Sequence, residues 1–343
     1  MIYKNAQPLI VFCLIMMAFI FGSSCGLFGG EDEDQPTIPG KIVFAAKDDN
    51  QNSQIYTMNA TGFNLKQLTD FPGSGVAYAP SWSPDGKQII FTSFKGGIST
   101  GPAIWVMDAD GSNQRFLYHP EPDNEHAVPI IGNNPRWSPD GTKVAFDLCL
   151  NCQVYTDYTI WVFDTLTKNL TQLTPHEENP GHPASDLYPT WSPDGTQIAF
   201  TSNRDYVTGD TLRFRTELYI MDEDGKNQTR ITDDESVGGH TWMDSEHIIY
   251  TINNRNTNLK DVLLLDVETR QVILLMESLR IKNQFWVFWD FVNVQLLSIN
   301  KNHQELPVII STYDQHGEIQ KQFQLKATAL QYGLDFDWFV EEN

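Results

Sequence analysis

The stretch Trp82-Ser83-Pro84-Asp85-Gly86 returns as Trp137-Ser138-Pro139-Asp140-Gly141 and again as Trp191-Ser192-Pro193-Asp194-Gly195, at spacings of 55 and 54 residues. Each copy reads as a tight turn in which proline fixes φ, aspartate binds the local backbone and glycine accepts a positive φ. A motif that recurs about every 50 residues, each time followed by short apolar runs, encodes one small antiparallel sheet that must stack on its neighbours to bury its faces. The period predicts an all-β chain folded as a β-propeller.

Working outward from Trp82, one copy supplies four strands: 79–82, 88–92, 103–108 and 114–118. Their apolar residues are consecutive rather than alternating, which requires burial of both faces. The series recurs through Trp137 and Trp191, then in worn form from Trp242 and from 285–289. At the start of the repeats, 41–46, 54–59 and 65–69 match strands two to four only, while Asp335-Phe336-Asp337-Trp338 supplies a first strand with nothing after it. Joining these ends closes the ring, so the expectation is six four-stranded antiparallel blades with the C-terminal strand completing the first; closure also removes exposed sheet edges. Pro80, Pro135 and Pro189 each precede the repeated tryptophan by two residues. Proline lacks a ladder N–H, which places that strand at the inner edge of its blade.

Composition bounds the partners. Formal charge is -21, from 44 acids against 23 bases, which offers no basic surface for DNA, RNA or anionic lipid. The N-terminus reads as an export signal: Lys4, an apolar run over 8–21, then Gly22-Ser23-Ser24-Cys25. A spanning helix needs about 20 apolar residues, more than this run has. Residues 1–24 are expected to be a lipoprotein-type signal peptide, with Cys25 the acylated first residue of the mature chain; Gly22 departs from the leucine such signals favour, so ordinary cleavage near Ser24 is the alternative. The acidic, Gly/Pro-rich stretch 25–40 is expected to be a solvated tether and 41–343 the propeller. Cys149 and Cys152, spaced as Cys-Leu-Asn-Cys without a second cysteine pair, are expected to form a local disulfide in an exported protein.

These repeats resemble those of the TolB-like propeller family, whose blades read Pro-x-Trp-Ser-Pro-Asp-Gly, then an apolar strand, then Ile-Tyr-Val-Met-Asp-x-Asp-Gly, then Leu-Thr. Here the third element is Ile104-Trp105-Val106-Met107-Asp108-Ala109-Asp110-Gly111 and Leu218-Tyr219-Ile220-Met221-Asp222-Glu223-Asp224-Gly225; the fourth is Gln67-Leu68-Thr69 and Gln172-Leu173-Thr174. The family's namesake carries an α/β domain before its propeller, for which this chain is expected to have no room. The resemblance implies an interaction platform: a monomeric, lipid-anchored envelope protein that holds a protein or peptide partner. Its expected location is the periplasmic face of the outer membrane or the cell surface, and its only contact with membrane is the anchor.

Long, dissimilar loops are expected on one face and short turns on the other, and binding resides in long loops on a rigid scaffold. Candidate contacts at that face and the channel mouth are Tyr78, His126, Arg136, His182, Asp186, Tyr188 and His240. The histidines lack His-x-x-x-His or Glu-flanked spacing, so neither metal nor cofactor is expected. Asp-x-Asp-Gly resembles part of a calcium loop but lacks the bidentate glutamate and reads as a hairpin turn. The alternative function is a propeller enzyme of the polysaccharide-lyase type, with His240 and Arg136 at the mouth; no Gly-x-Ser-x-Gly elbow supports a hydrolase. If Cys25 is acylated, labelled palmitate enters the native chain and not Cys25→Ser; label persisting in the variant contradicts the anchor.

Overall fold

The computed structural model describes residues 41–48, 50, 52–59, 64–71, 76–94, 102–118, 131–149, 158–175, 184–206, 215–234, 237–254, 259–279, 287–290, 295–300, 308–313, 319–325 and 336–339. The stretches 1–24 and 25–40, read above as signal and tether, lie outside them. Residues Ile38–Asn343 form one compact unit.

Strands run β1 (Lys41–Lys47), β2 (Ser53–Asn59) and β3 (Lys66–Gln67), followed by β4 (Ala77–Trp82), β5 (Gln88–Ser93), β6 (Ala103–Asp108) and β7 (Arg115–Tyr118). Next come β8 (Ile131–Trp137), β9 (Lys143–Cys149), β10 (Thr159–Asp164) and β11 (Leu170–Gln172), then β12 (Asp186–Trp191), β13 (Gln197–Ser202), β14 (Glu217–Asp222) and β15 (Thr229–Arg230). The last are β16 (Val237–Trp242), β17 (His247–Asn254), β18 (Leu259–Asp266), β19 (Val272–Leu279), β20 (Val287–Asp290), β21 (Gln295–Asn300), β22 (Val308–Tyr313), β23 (Ile319–Leu325) and β24 (Phe336–Phe339).

Among the described residues these strands make four-stranded antiparallel sheets, the blades of a propeller. Five use strands consecutive in sequence, β4 to β7 through β20 to β23, and one is composite, in the order β24-β1-β2-β3. In that composite sheet the two ends of the repeat region pair, Ile42 with Trp338 and Phe44 with Phe336. First strands of successive sheets touch, β1 and β24 against β4, then β4–β8, β8–β12, β12–β16 and β16–β20, which places them innermost.

The repeated pentapeptide does the same work in each blade. The Ser83 hydroxyl donates to Asp85 Oδ1 at 2.7 Å and accepts from Gln88 N at 2.9 Å, and Ser138 and Ser192 repeat both bonds. The serine hydroxyl, then the backbone N–H two residues on, holds the Asp85 and Asp140 carboxyls below their ordinary range. Gly141 lies against Pro84, and Gly195 against Pro139, so turns of adjacent blades stack.

Leu-Thr has a separate task. Thr69, Thr174 and Thr232 accept from the N–H of Ile55, Ile160 and Leu218 at 2.8 to 2.9 Å. The neighbouring leucine carbonyl receives the next blade: Gln114 donates to Leu68 O and Gln228 to Leu173 O. There the Asp-x-Asp-Gly glycines approach so closely that a Cβ on Gly111 would lie 2.9 Å from Leu68 O, and one on Gly225 2.8 Å from Leu173 O, both at positive φ. Gly225→Ala combines that clash with left-handed strain and lowers stability by about 2 kcal/mol or more; an unchanged urea midpoint would contradict this inter-blade contact.

Candidate functional site

Inner strands do not run straight. β4, β8 and β12 each slip register just before the tryptophan, between Tyr78 and Ser81, Asn133 and Arg136, and Leu187 and Thr190. In each bulge the residue before proline takes a left-handed conformation: Ala79 at φ 51°, Asn134 at 51° and Tyr188 at 58°. A bulge re-aims side chains, and non-glycine residues at positive φ concentrate at functional positions. Residues 131–134, 186–188 and 237–240, ahead of the tryptophan of each copy, belong to strands and not to the long loops expected on that face. Pairing resumes beyond the proline, so Asp186, Tyr188 and His240 lie within strands β12 and β16.

Comparing blades position by position isolates what is not needed for folding. The residue after the aromatic of the second strand is Thr92, Thr201 or Thr251 in three blades and Asp147 in the fourth. The residue before the tryptophan is Ser81, Thr190 or Thr241, but Arg136 in that same blade. His240 stands where three copies have proline and two others have Val287 and Phe336.

These departures meet. The Arg136 charge acts on both Asp147 of β9 and His240 of β16. Those groups belong to the sheets on either side of β12–β15. Asp147 is fully buried; its Oδ1 accepts from Asn134 Nδ2 at 2.8 Å and from the Tyr188 N–H at 3.2 Å, tying two left-handed residues of adjacent blades together, while Oδ2 has no partner. Burial pushes the carboxyl up to about 6 despite those bonds. Tyr78 donates to Asn133 Oδ1 at 2.6 Å, and Tyr158 bonds the same asparagine, its phenol held above the ordinary range by burial and then by the Asp147 charge. His240 is 8% exposed, and its ring nitrogens make no well-formed hydrogen bond, only an approach to the Ala199 backbone. Its pKa falls to about 4, chiefly through burial, with the Ala199 backbone offsetting a little and Arg136 adding to the fall.

Of the residues named from sequence, the structure brings Tyr78, Arg136, Tyr188 and His240 into this network. Asp186 takes a partner of its own. It is fully buried and pairs with Arg204 at 2.5 Å, where the guanidinium also bonds Gln228 and covers the Phe200 and Tyr219 rings. That is a structural pair within one blade. His126, His182, Cys25 and Cys152 lie outside the described residues; Cys149 is disulfide-bonded. Sequence reasoning missed Asn133, Asn134, Asp147 and Tyr158. Asp147 was findable as the acidic exception to a repeated threonine.

No group of three or more metal-ligating side chains occurs among the described residues. The Asp-x-Asp-Gly carboxylates are occupied by their own turns: Asp108 accepts from Asn113, Asp110 from Ser112, and Asp222 from Asn227. A crevice of about 550 Å³ opens on the short-turn side, beside Pro139, Trp191 and the Lys143–Glu223 pair. Its polar groups Ser138, Asp140 and Asp194 are engaged in turn bonds, so it reads as inter-blade packing.

Stacked four-stranded blades carrying this turn and this carbonyl-on-glycine contact define a β-propeller whose inner strands β8 and β16 carry Arg136 and His240. Residues 123–284 match the family model described as the TolB beta propeller domain. Over that stretch the chain is similar to the TolB-like β-propeller family. It is 33% identical over 167 residues to the protein TolB homolog of Chlorobium chlorochromatii, covering 48% of this chain and 31% of that protein. It is 28% identical over 164 residues to the Tol-Pal system protein TolB of Nitratidesulfovibrio vulgaris, with the same coverage of 48% and 31%. The chain thus matches about a third of the length of these curated relatives. In fold it is similar to the crystal structure of TolB from Acinetobacter baumannii, with a TM-score of 0.64, 17% identity, and coverage of 87% of this chain and 66% of that one.

Asp147 and His240 bias stability in opposite directions over one pH window. Asp147 titrates higher when folded, so its contribution is greatest below pH 4 and is lost as pH rises to 6, an effect worth about 3 kcal/mol. His240 titrates lower when folded, so its contribution is present above pH 6.5 and is lost as pH falls toward 4. Urea unfolding at fixed pH should show Asp147→Asn gaining stability, relative to the native chain, as pH rises from 4 to 6.5. His240→Gln should show the reverse; parallel profiles would contradict the buried placement of either group.

Proposed function

We propose that this chain is a non-enzymatic cell-envelope lipoprotein, anchored through Cys25, whose propeller closes as a ring of six blades and holds a protein or peptide partner at its channel mouth. The observation that carries the reading is the meeting of Arg136, Asp147 and His240: three departures from a repeat that folds without them in the neighbouring blades. A half-exposed Tyr188, at 40%, and the Tyr78–Asn133–Tyr158 group surround them. Aromatic residues around an arginine are the composition of an interaction hot spot. Membership of one relative in a Tol-Pal system supports an envelope setting. The Cys149 disulfide closes onto Cys152 in this reading and pins the loop beside the mouth.

A photo-crosslinking residue at Tyr188, in cells that make the protein, should capture one partner in stoichiometric yield, while the same residue at Lys87 on a short turn should not. Equal capture from both positions, or from neither, would contradict a binding face at the channel mouth.

A further inference from the structure

Arg136 is a cation without a counter-ion at contact distance. Among the described residues its guanidinium makes one hydrogen bond, from Nη1 to its own neighbour's carbonyl, Pro135 O, at 3.0 Å. Two other arginines find carboxylates, Arg204 with Asp186 and Arg230 with Asp205 and Asp233, whereas, among the described residues, the exposed Arg115 bonds only the Asn113 carbonyl. The charge of Arg136 is felt by Asp147, yet the bonded oxygen of that acid is committed to Asn134 and the Tyr188 N–H, and among the described residues the two form no ion pair. The remaining donors of a planar fork are therefore free, on an inner strand, at a position where three other blades carry serine or threonine. A free fork of this geometry receives a carboxylate through two parallel hydrogen bonds.

We propose that Arg136 is the anchor of the channel mouth for a carboxylate presented by the partner peptide, either its C-terminus or an Asp/Glu side chain. The inference rests on the reading of the mouth as the binding face. Asp147 gives it a signature: an arriving carboxylate repels the ionised form, so binding takes up a proton there and strengthens as pH falls. The titratable or charged groups that bear on Asp147 are Arg136 and Tyr158, with His240 facing Arg136 from β16 and already neutral.

Binding is measured by NMR on the purified full-length protein with four probes: acetyl-Ala-Ala-Ala with a free C-terminus, its amide, acetyl-Ala-Glu-Ala-amide and acetyl-Ala-Gln-Ala-amide. At least one acidic probe should bind about tenfold more tightly than its neutral counterpart. Which one identifies the source of the carboxylate. Arg136→Thr, the residue type of adjacent blades, should abolish that preference with an unchanged melting temperature. Arg136→Lys should retain only part of it. Affinity for the preferred probe should rise severalfold from pH 7.5 to 6 in the native chain and stay level in Asp147→Asn. Equal binding of acidic and neutral probes, full binding by Arg136→Thr, or binding of digalacturonate in place of any peptide would overturn the proposal. Capture of a partner from Tyr188 that persists in Arg136→Thr would overturn the carboxylate anchor while leaving the binding face standing.

Discussion

No blade of this protein can bury its own two faces, and the contact that joins one to the next is a backbone approach. The leucine carbonyl at a blade's outer strand meets the glycine of its neighbour's Asp-x-Asp-Gly turn, with a glutamine amide bonding across the junction. Because the contact is backbone to backbone, it leaves no room for a Cβ and fixes blade spacing within a few tenths of an ångström. Trp191 and Trp242 add indole bonds to carbonyls of the preceding blade, Arg136 O and Thr190 O. The apolar strands β5, β9, β13 and β17 then fill the space between sheets with Phe91, Phe146, Phe200 and Tyr250, each fully buried.

Such spacing crowds the inner strands, and the bulge before each tryptophan relieves that crowding at the expense of backbone strain. Ala79 and Tyr188 hold left-handed conformations that cost on the order of 1–3 kcal/mol each. Where the blade permits, the strain is tied down by side chains: Asp147 reaches from β9 to the Asn134 amide and to the Tyr188 N–H of the next blade. The same carboxylate has an oxygen without a partner and lies in the field of Arg136. Threonine fills this position in neighbouring blades without a buried charge. An acid retained there costs stability that the fold does not require, which is the expected mark of a functional position.

The architecture was legible in the sequence because turn chemistry repeats in register with apolar runs. Pentapeptides near 82, 137 and 191, and a lone C-terminal tryptophan strand, sufficed to anticipate that β24 completes the sheet of β1. Strand starts were less legible: a residue of left-handed conformation followed by proline looks like the end of a loop, so the first halves of β8, β12 and β16 read as connections. Asp186 looked like a mouth residue because its partner Arg204 lies 18 residues on and only folding brings them together. Asp147 was hidden inside an apolar run, where hydrophobic pattern alone treats it as noise. Aligning the copies against one another reveals it, since whatever the blades share serves packing and whatever one blade alone carries requires another reason.

One variant tests that division between shared and singular residues. Arg136→Thr/Asp147→Thr returns the blade of β8 to β11 to the residue types of its neighbours. The variant is expected to unfold at the same or a higher urea concentration than the native chain and to capture no partner from the Tyr188 position. A variant that loses stability yet still captures a partner from that position would show that these two residues serve the fold, and would contradict that division.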